Sequence, residues 1–388
     1  MPWHLIARNL LAHPVRTLLT ASSLVIAVFL ICTLRSLVVG LTAGVEGAAS
    51  NRLVVQSAVS LFVDLPLAYQ GKVAQVPGVR QTCKFQWFGG YYQDPSNFFA
   101  QFGVDADRFY ESYPEVEVLE GDPAAFLATR AGCLIGRDLT RRYGWKVGDR
   151  VPIKPTIFQR ADGGAWEFEV VGIYRSRTSN VDDATLFFQH DYLREALEQG
   201  AASGPPGVGV YMVTLAPGAD LVAVSREIDV LFENGPQRVQ TTTEAEFQRQ
   251  FVSMLGGVPT LLGSIGGGVL FAILLAVLNT MLMAGRERTR DLGIIKALGF
   301  GDGVAFALLM LESLLLCGVG GAIGVGLSLL SAPAFRQGLS QMVPGYAVTD
   351  ETAALGLGLS LLLGVIAGAA PAWRAGRLRV IQALRPEA

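Results

Sequence analysis

The sequence predicts an α-helical membrane protein with four transmembrane helices and one large α+β domain in water. Of its 388 residues, 51% are hydrophobic and only 16% are charged, and the mean hydropathy is +0.40. Such a composition is too apolar for an ordinary soluble protein of this size. Four apolar stretches are each long enough to cross a bilayer. Between the first and the second, about 200 residues again contain glycine, proline, aromatic and charged side chains, as a folded aqueous domain does.

The chain opens, over residues 1–16, with an amphipathic segment. Trp3, Ile6 and Leu10 fall on one helical face, and Pro14 then interrupts the helical pattern. We expect a cytoplasmic elbow helix that lies in the interface of the inner leaflet.

Residues 17–41 form the first predicted transmembrane helix. The stretch is apolar except for Arg35, whose side chain we expect either to reach the membrane surface or to face a partner helix. A cleaved signal peptide is the alternative. The apolar run is much longer than the usual core of a signal peptide, and no A-x-A cleavage site follows it.

Residues 46–250 form the predicted aqueous domain, with two β-α-β units inside it. Each unit is a strand, a helix and a strand in the following order: Arg52–Ser57, Leu65–Val76 and Val79–Trp87, then Gly209–Leu215, Asp220–Glu233 and Arg238–Thr242. The part between the units is richer in strands. It contains WEFEVVGIY from Trp166, where apolar and acidic residues alternate at first, and GWKVGDRVPI, which reads as a turn followed by a strand.

Two features of this domain allow more than one interpretation. Residues 86–104 contain seven aromatic side chains, which suit a hydrophobic substrate platform but more commonly fill a core. Cys83 and Cys133 are chemically able to form a disulfide outside the cytoplasm, although the sequence does not give their separation. No cysteine or histidine spacing matches a metal site.

Three more membrane helices follow, at 258–284, 304–331 and 352–372. Cations near the helix ends gather on one side of the membrane: Arg8, Arg16, Arg286, Arg288, Arg290, Lys296, Arg374, Arg377, Arg379 and Arg385. The predicted external loop, 332–351, contains only Arg336. By the positive-inside rule both termini and the 373–388 tail are cytoplasmic, and the large domain is external.

Polar residues inside the apolar helices are a second set of candidates. Besides Arg35, they are Asn279 in the second helix and Glu312 in the third. A carboxylate among leucines is costly unless it is neutral, paired or hydrated, so a functional role and a structural hydrogen bond to a neighbouring helix are both open. Small residues four apart, such as Gly320 with Gly324 and Gly364 with Gly368, indicate close helix contacts.

The cytoplasmic segment 285–302 carries most of the charge in this half of the chain. Leu292, Ile295, Leu298 and Gly299 recur at three- and four-residue spacing and so share one face of a helix, which Gly299 is suited to end. The remaining candidate residues of this segment are Arg286, Glu287, Arg288, Arg290, Asp291 and Lys296. Such a helix can insert apolar side chains into a groove on a partner while its cations face lipid phosphates or acidic groups. The alternative is a basic loop that only fixes topology, but that loop needs no apolar face.

The stretch NTMLMAGRERTRDLGIIKALG, residues 279–299, resembles the signature of ABC-transporter permeases of the MacB/FtsX superfamily. Asp291 stands where glutamate is usual. The opening LIARNLLAHPVRTLLTASSLVIAV and the closing PAWRAGRLRVIQALRPE resemble the same family. The resemblance implies an external domain in which a small β-rich subdomain interrupts a porter-like α/β subdomain.

The resemblance also implies partners. In that family the segment between the second and third membrane helices docks onto a separate ABC ATPase, which binds ATP and Mg. No G-x-x-x-x-G-K-[ST] motif occurs in this chain, and we find no catalytic residues, so we expect a permease and not an enzyme. By resemblance, two permeases and two ATPases form the complex in the bacterial inner membrane, with a membrane-fusion protein and an outer-membrane channel for export.

Two other functions fit the same topology. One is lipoprotein or lipid extraction of the Lol type, and the other is FtsX-like signalling to a cell-wall hydrolase. The net charge of −2 and the dispersed cations give no support for nucleic-acid binding, so we expect lipid and protein as partners.

Overall fold

The computed structural model describes residues 14–178, 180–254, 256–287, 289–339, 343 and 345–377. Most of the predicted elbow helix, 1–16, and the end of the 373–388 tail lie outside these residues. The chain forms two compact units: Met1–Gly40 with Gly256–Gln337 and Tyr346–Ala388, and Leu41–Leu255 with Gly338–Gly345. We call them the membrane unit and the external unit.

The helices and strands of the described residues follow in this order: α1 (Pro14–Gly47), β1 (Arg52–Ser57), α2 (Tyr69–Val73), β2 (Val79–Trp87), β3 (Gly90–Tyr91), β4 (Gln101–Val104), α3 (Ala106–Ser112), β5 (Val116–Gly121), α4 (Pro123–Ala128), β6 (Gly132–Gly136), α5 (Arg137–Tyr143), β7 (Arg150–Pro155), β8 (Gln159–Arg160), β9 (Trp166–Ser176), β10 (Leu186–Gln189), α6 (His190–Glu198), β11 (Ala202–Ser203), β12 (Val210–Leu215), α7 (Leu221–Leu231), β13 (Val239–Thr243), α8 (Glu244–Met254), α9 (Val258–Glu287), α10 (Thr289–Ala297), α11 (Asp302–Leu339) and α12 (Asp350–Arg377).

Four helices of the described chain are long and apolar enough to cross a membrane: α1, α9, α11 and α12. The predicted fold class is therefore confirmed in its membrane part. The predicted loop 332–351 is wrong in its first half, because α11 continues to Leu339 and includes Pro333. Contacts made by Phe335 explain this extension: its ring lies 6.4 Å from that of Phe29 and 5.7 Å from that of Tyr346. Tertiary packing continues the helix beyond the end of the apolar run.

Glycines allow the helices of the membrane unit to approach closely. A side chain at Gly320 or Gly324 would come within 3 Å of α1, and one at Gly368 would come within 2.8 Å of Ser313 on α11. A side chain at Gly364 would come 3.0 Å from Cys317, also on α11. The close-contact role is thus confirmed for all four glycines.

The external unit contains one mixed sheet of 11 strands within the described residues. Ten of them follow the order β13-β1-β12-β2-β4-β10-β6-β9-β7-β3, and β5 pairs with β9. The strands predicted at Arg52–Ser57 and Val79–Trp87 have the observed bounds. The helix predicted over Leu65–Val76 is wrong at both ends, because α2 spans only Tyr69–Val73 and Leu65 instead forms a β-bridge with Val208. Strands from both predicted subdomains join this single sheet.

Alternating side chains divide the core of the external unit between the two faces of the sheet. On β1, Leu53 and Val55 point into one hydrophobic cluster and Val54 into another. On β6, Ile135 and Leu134 separate in the same manner. One cluster extends over one face from Val54 on β1 to Tyr174 on β9, while the opposite face carries two separate clusters. The continuous cluster is what joins the two predicted subdomains into one body.

Candidate functional site

The short helix α10 is the element that the predicted cytoplasmic coupling segment forms. The predicted single helix over 286–300 is wrong in extent, because α9 continues to Glu287 and α10 begins at Thr289. Its end is well defined. The N–H of Gly299 donates to the carbonyl of Lys296 at 3.0 Å, and that of Phe300 to the carbonyl of Ile295 at 3.3 Å. With Gly299 at a φ of +91°, these bonds form a Schellman motif, as the predicted glycine stop requires.

Two side chains of α10 anchor it in the membrane unit. Leu292 is 4% exposed and packs in a cluster with Ala305, Leu309, Ala372 and Ala375 of α11 and α12. The Lys296 ammonium donates to the carbonyl of Gly376, in the last turn of α12, at 2.7 Å. It also lies 2.8 Å from the carboxylate of Asp302, the first residue of α11. Both are favourable placements, since carbonyls at a helix end attract cations and a helix start attracts anions.

These anchors correct the predicted division of α10 into an outward apolar face and outward cations. Leu292 faces inward, and Lys296 is almost entirely buried, because each has a partner elsewhere in the membrane unit. The outward apolar surface is instead formed by Ile294, Leu298 and Phe300, which are 44%, 73% and 54% exposed. We call these three residues the apolar tip. Ile295 is partly buried and Gly299 is exposed.

The other predicted coupling residues flank this surface. Arg286 and Glu287 are exposed at the end of α9. Arg288 and the side chains of Arg290 and Asp291 lie outside what the structure describes. Their predicted role therefore stays a prediction.

The polar residues of the membrane helices differ in burial. Arg35 and Asn279 are exposed on the surface of the membrane unit, whereas Glu312 is 3% exposed. Its neighbour Ser313 is fully buried and donates to the carbonyl of Gly364 on α12 at 2.7 Å. Of the three predicted residues, only Glu312 lies in the interior.

The aromatic run 86–104 belongs chiefly to the core. Phe88 and Phe99 are 0% and 3% exposed, and the Phe88 ring packs at 5.4 Å from Phe188 and 5.7 Å from Trp166. Phe98 is the exposed member, at 39%. The core interpretation is thus confirmed for the two buried phenylalanines.

Cys83 and Cys133 are both free and fully buried, so the disulfide interpretation is wrong for this structure. The strands β4 and β10 separate β2 from β6. Three strand spacings place the two cysteines about 14 Å apart, far more than a disulfide spans. Among the described residues, no group of three or more His, Cys, Asp or Glu is arranged to hold a metal ion.

A buried charge cluster in the external unit escaped the sequence analysis. Arg52, at the start of β1, and Glu244, at the start of α8, are each 2% exposed. The Nε of Arg52 donates to Oε2 of Glu244 at 3.0 Å, its Nη1 to the carbonyl of Ser112 at 2.7 Å, and its Nη2 to Oε1 of Glu115. The guanidinium also lies 4.1 Å above the ring of Tyr113.

Electrostatics hold Arg52 in its charged form in this cluster. Burial alone lowers the pKa of the guanidinium, but Tyr113, Glu115 and Glu244 together raise the pKa above its ordinary value. The available sequence signal was an arginine that opens a strand buried on both faces, RLVVQS. Its partner is 192 positions away and leaves no local pattern.

Two protein-family models match this chain and together cover most of it. The MacB-like periplasmic core domain matches residues 17–231, and the FtsX-like permease C-terminal domain matches residues 263–380. The chain belongs to the MacB/FtsX family of permeases. It is therefore an ABC transporter permease of the MacB/FtsX type, with membrane-spanning helices and a MacB-like external domain.

Relatives of this MacB/FtsX permease carry related names. An uncharacterised ABC transporter permease from Methanocaldococcus jannaschii is 26% identical over 81% of this chain and 78% of its own length. The ABC transporter permease YknZ of Bacillus subtilis is 35% identical over 33% of this chain and 32% of its own length. The macrolide export ATP-binding/permease protein MacB 1 of Aeromonas hydrophila is 37% identical over 29% of this chain, but the match spans only 17% of that protein.

Among solved structures, the periplasmic region of MacB from Actinobacillus actinomycetemcomitans covers 54% of this MacB/FtsX permease and 97% of its own chain. The sequence identity is 8% and the TM-score is 0.39. The assignment of this chain to the MacB/FtsX family therefore rests on the two family models and not on this TM-score.

Proposed function

We propose that this chain couples ATP hydrolysis by a separate ABC ATPase to movement of its external unit, and that this movement drives export. The observation that supports the proposal is the apolar tip of α10, an exposed apolar surface on an otherwise anchored helix. Exposed leucine and phenylalanine side chains on a helix end suit insertion into a groove of a partner protein. ATP and Mg are bound by that partner.

The anchors of α10 explain how a push on the apolar tip reaches the membrane helices. Leu292 packs against α11 and α12, and Lys296 holds the last turn of α12 and the first residue of α11. A movement of the apolar tip would therefore displace both α11 and α12. A loop that only set topology would not need these contacts.

The proposed assembly contains two copies of the permease and two of the ATPase. Gly263 and Gly267 on α9 have nothing within 4 Å, so they are open for close contact with a second copy. A membrane-fusion protein and an outer-membrane channel complete the export route. This arrangement follows the family resemblance, and a bound membrane-fusion protein would support export over lipoprotein extraction or signalling to a hydrolase.

Replacement of Leu298 by aspartate tests the coupling. A charge at a buried apolar contact with the ATPase costs several kcal/mol, about 3 or more, because it loses water without gaining a partner. We expect Leu298→Asp to abolish ATPase co-purification or ATP-dependent transport. Folding should survive, since the side chain is 73% exposed in the permease alone.

Leu127→Asp is the matched control, because Leu127 on α4 of the external unit is 58% exposed. It should leave ATPase binding unchanged. Arg288→Gln should have a milder effect than Leu298→Asp, since a cation at a membrane surface contributes only about 1 kcal/mol. Full binding and transport in Leu298→Asp would show that α10 only sets topology.

A further inference from the structure

Two of the connections between the membrane unit and the external unit, those at the two ends of Leu41–Leu255, lead directly to the buried charge cluster. After α1 ends at Gly47, the chain reaches Arg52 within five positions. On the return path, β13 ends at Thr243, and Glu244 is the first residue of α8, which precedes the membrane helix α9. Arg52 and Glu244 thus stand at the entry to and the exit from the sheet.

A single carboxylate joins both connections. Oε2 of Glu244 accepts the backbone N–H of Ala49 at 2.8 Å as well as the Nε–H of Arg52 at 3.0 Å. The first bond holds the segment after α1, and the second holds the first residue of β1. Because Glu244 itself belongs to α8, its buried carboxylate connects the residues after α1, the start of β1 and the start of α8.

The cluster also reaches two loops beyond the connections. Arg52 holds the carbonyl of Ser112 at the end of α3 and the carboxylate of Glu115 before β5. Asn180, in the loop after β9, donates to Glu115 at 2.7 Å and to Glu244 at 3.3 Å. The cluster therefore joins both connections to residues that lie at least 60 positions away in the sequence.

Further contacts hold α8 alongside β1. Beyond Glu244, Gln250 accepts a hydrogen bond from Gln56 at 2.8 Å, and Phe247 packs against the cluster that contains Val54. These residues of α8 are spaced three apart, so one helical face follows the strand. The charge cluster lies at the N-terminal end of this helix–strand contact.

Stability alone does not account for such a pair. Two carboxylates and one guanidinium are taken out of water here, and well-packed apolar residues of similar volume often replace buried ion pairs without loss of stability. What a charged, directional network adds is a single arrangement of its members.

We propose that the Arg52–Glu244 pair is a conformational lock that makes both connections of the external unit move as one body when the membrane helices move. The role of this lock rests on the proposed function, because the lock would transmit movement that ATP hydrolysis in the partner ATPase produces. The hydrogen bonds that form the lock do not depend on that function.

The test uses the full-length chain in lipid nanodiscs, with amide hydrogen exchange as the measurement. Arg52→Met should raise exchange in residues 48–52 and 244–250 by at least about tenfold, since the carboxylates of Glu115 and Glu244 are left without their cation. Arg52→Lys should show the same direction, because an ammonium does not reproduce the three-way fork. Arg194→Lys, at an exposed ion pair with Glu198, is the matched control and should change nothing.

A second variant separates the lock from a purely structural role. Arg52→Met combined with Glu244→Met removes both charges of the pair, and Glu115 keeps the hydrogen bond from Asn180, so thermal stability should recover most of what Arg52→Met alone loses. Exchange in residues 48–52 should stay high, because Ala49 has lost its acceptor. In the complex with the co-purifying ATPase, ATP should no longer change exchange in the external sheet, although it still changes exchange in the membrane helices.

The outcomes separate the two proposals. If the double variant keeps the ATP-dependent change in the external sheet, or if exchange in the connections is unchanged in all Arg52 variants, the lock is wrong. If ATP changes nothing in the external unit of the unaltered complex, the proposed function is wrong. In that case, amide exchange in residues 48–52 and 244–250 of the Arg52 variants, measured without nucleotide, still decides whether the lock exists.

Discussion

Asp182 lies in the loop between β9 and β10. Its Oδ1 accepts the N–H of Ala184 at 2.9 Å, and the hydroxyl of Tyr174 donates to its carbonyl at 2.6 Å. The pKa of the carboxyl is raised to about 7, chiefly by burial and in smaller part by the charges of Asp138 and Asp183, while the hydrogen bond from Ala184 lowers it. The group therefore titrates near neutral pH in the folded protein.

This pKa has a defined consequence for stability. In the unfolded chain the carboxyl has a pKa of about 3.9. Between about pH 4 and pH 7 the folded state consequently binds more protons than the unfolded state, so stability falls as the pH rises. Above about pH 7 the carboxyl is ionised in both states, and the free energy of unfolding stays at its lower value.

We expect Asp182→Asn to stabilise the protein at pH 8 and to change little at pH 4, because asparagine keeps the acceptor for Ala184 without ionising. A gain of about 1 kcal/mol corresponds to a rise in Tm of about 2–4 °C for a domain of this size. Thermal unfolding at both pH values, followed by tryptophan fluorescence, measures it. Asp162→Asn, at an exposed carboxyl whose pKa Arg160 lowers, should show no such gain at pH 8. An equal effect of Asp182→Asn at the two pH values would contradict the assignment.

At the scale of elements, α10 depends on one ammonium group. Lys296 joins the last turn of α12 to the first turn of α11. Nine residues of helix do not hold their conformation in water by themselves, so these contacts and Leu292 stabilise α10.

Replacement of Lys296 by methionine tests this dependence. Methionine keeps an apolar stem but leaves Asp302 and the carbonyl of Gly376 without the cation, a loss of about 1.5–3 kcal/mol for charged hydrogen bonds. We expect hydrogen exchange over residues 289–300 to rise by about tenfold or more, with the sheet of the external unit unaffected. Lys72→Met, at an exposed lysine of α2, is the control. Unchanged exchange in α10 would mean that Leu292 alone holds the helix.

At the scale of the whole molecule, the distribution of cations predicts which side of the membrane each unit occupies. The prediction is open to thiol labelling, because all four native cysteines are buried and react slowly. Ala161 in the external unit and Ala297 in α10 are exposed and small.

We expect a membrane-impermeant maleimide to label Ala161→Cys in intact spheroplasts and to leave Ala297→Cys unlabelled until the membrane is opened. The cations beside α10 should hold it on the cytoplasmic side. Labelling after detergent treatment is the control for reactivity at both sites. Modification of Ala297→Cys from outside would reverse the orientation of the whole chain.

The sequence by itself determined the four membrane helices and six of the 13 strands of the external unit within the described residues. Length and hydropathy suffice to recognise a transmembrane helix, a short apolar run suffices for β1, and alternation suffices for β2, because each signal is contained within one element. The glycine stop of α10 is equally local, since a Schellman motif involves only neighbouring residues.

The tertiary structure decided which side of each element is used. Periodicity placed Leu292 and Leu298 on one face, but only packing against α11 and α12 shows that Leu292 is an anchor and that Leu298 is exposed. The separation of Cys83 from Cys133 likewise depends on the strand order. The Arg52–Glu244 pair joins residues 192 positions apart, and a contact of that kind has no periodicity along the chain, because its partners meet only when the sheet and α8 have packed together.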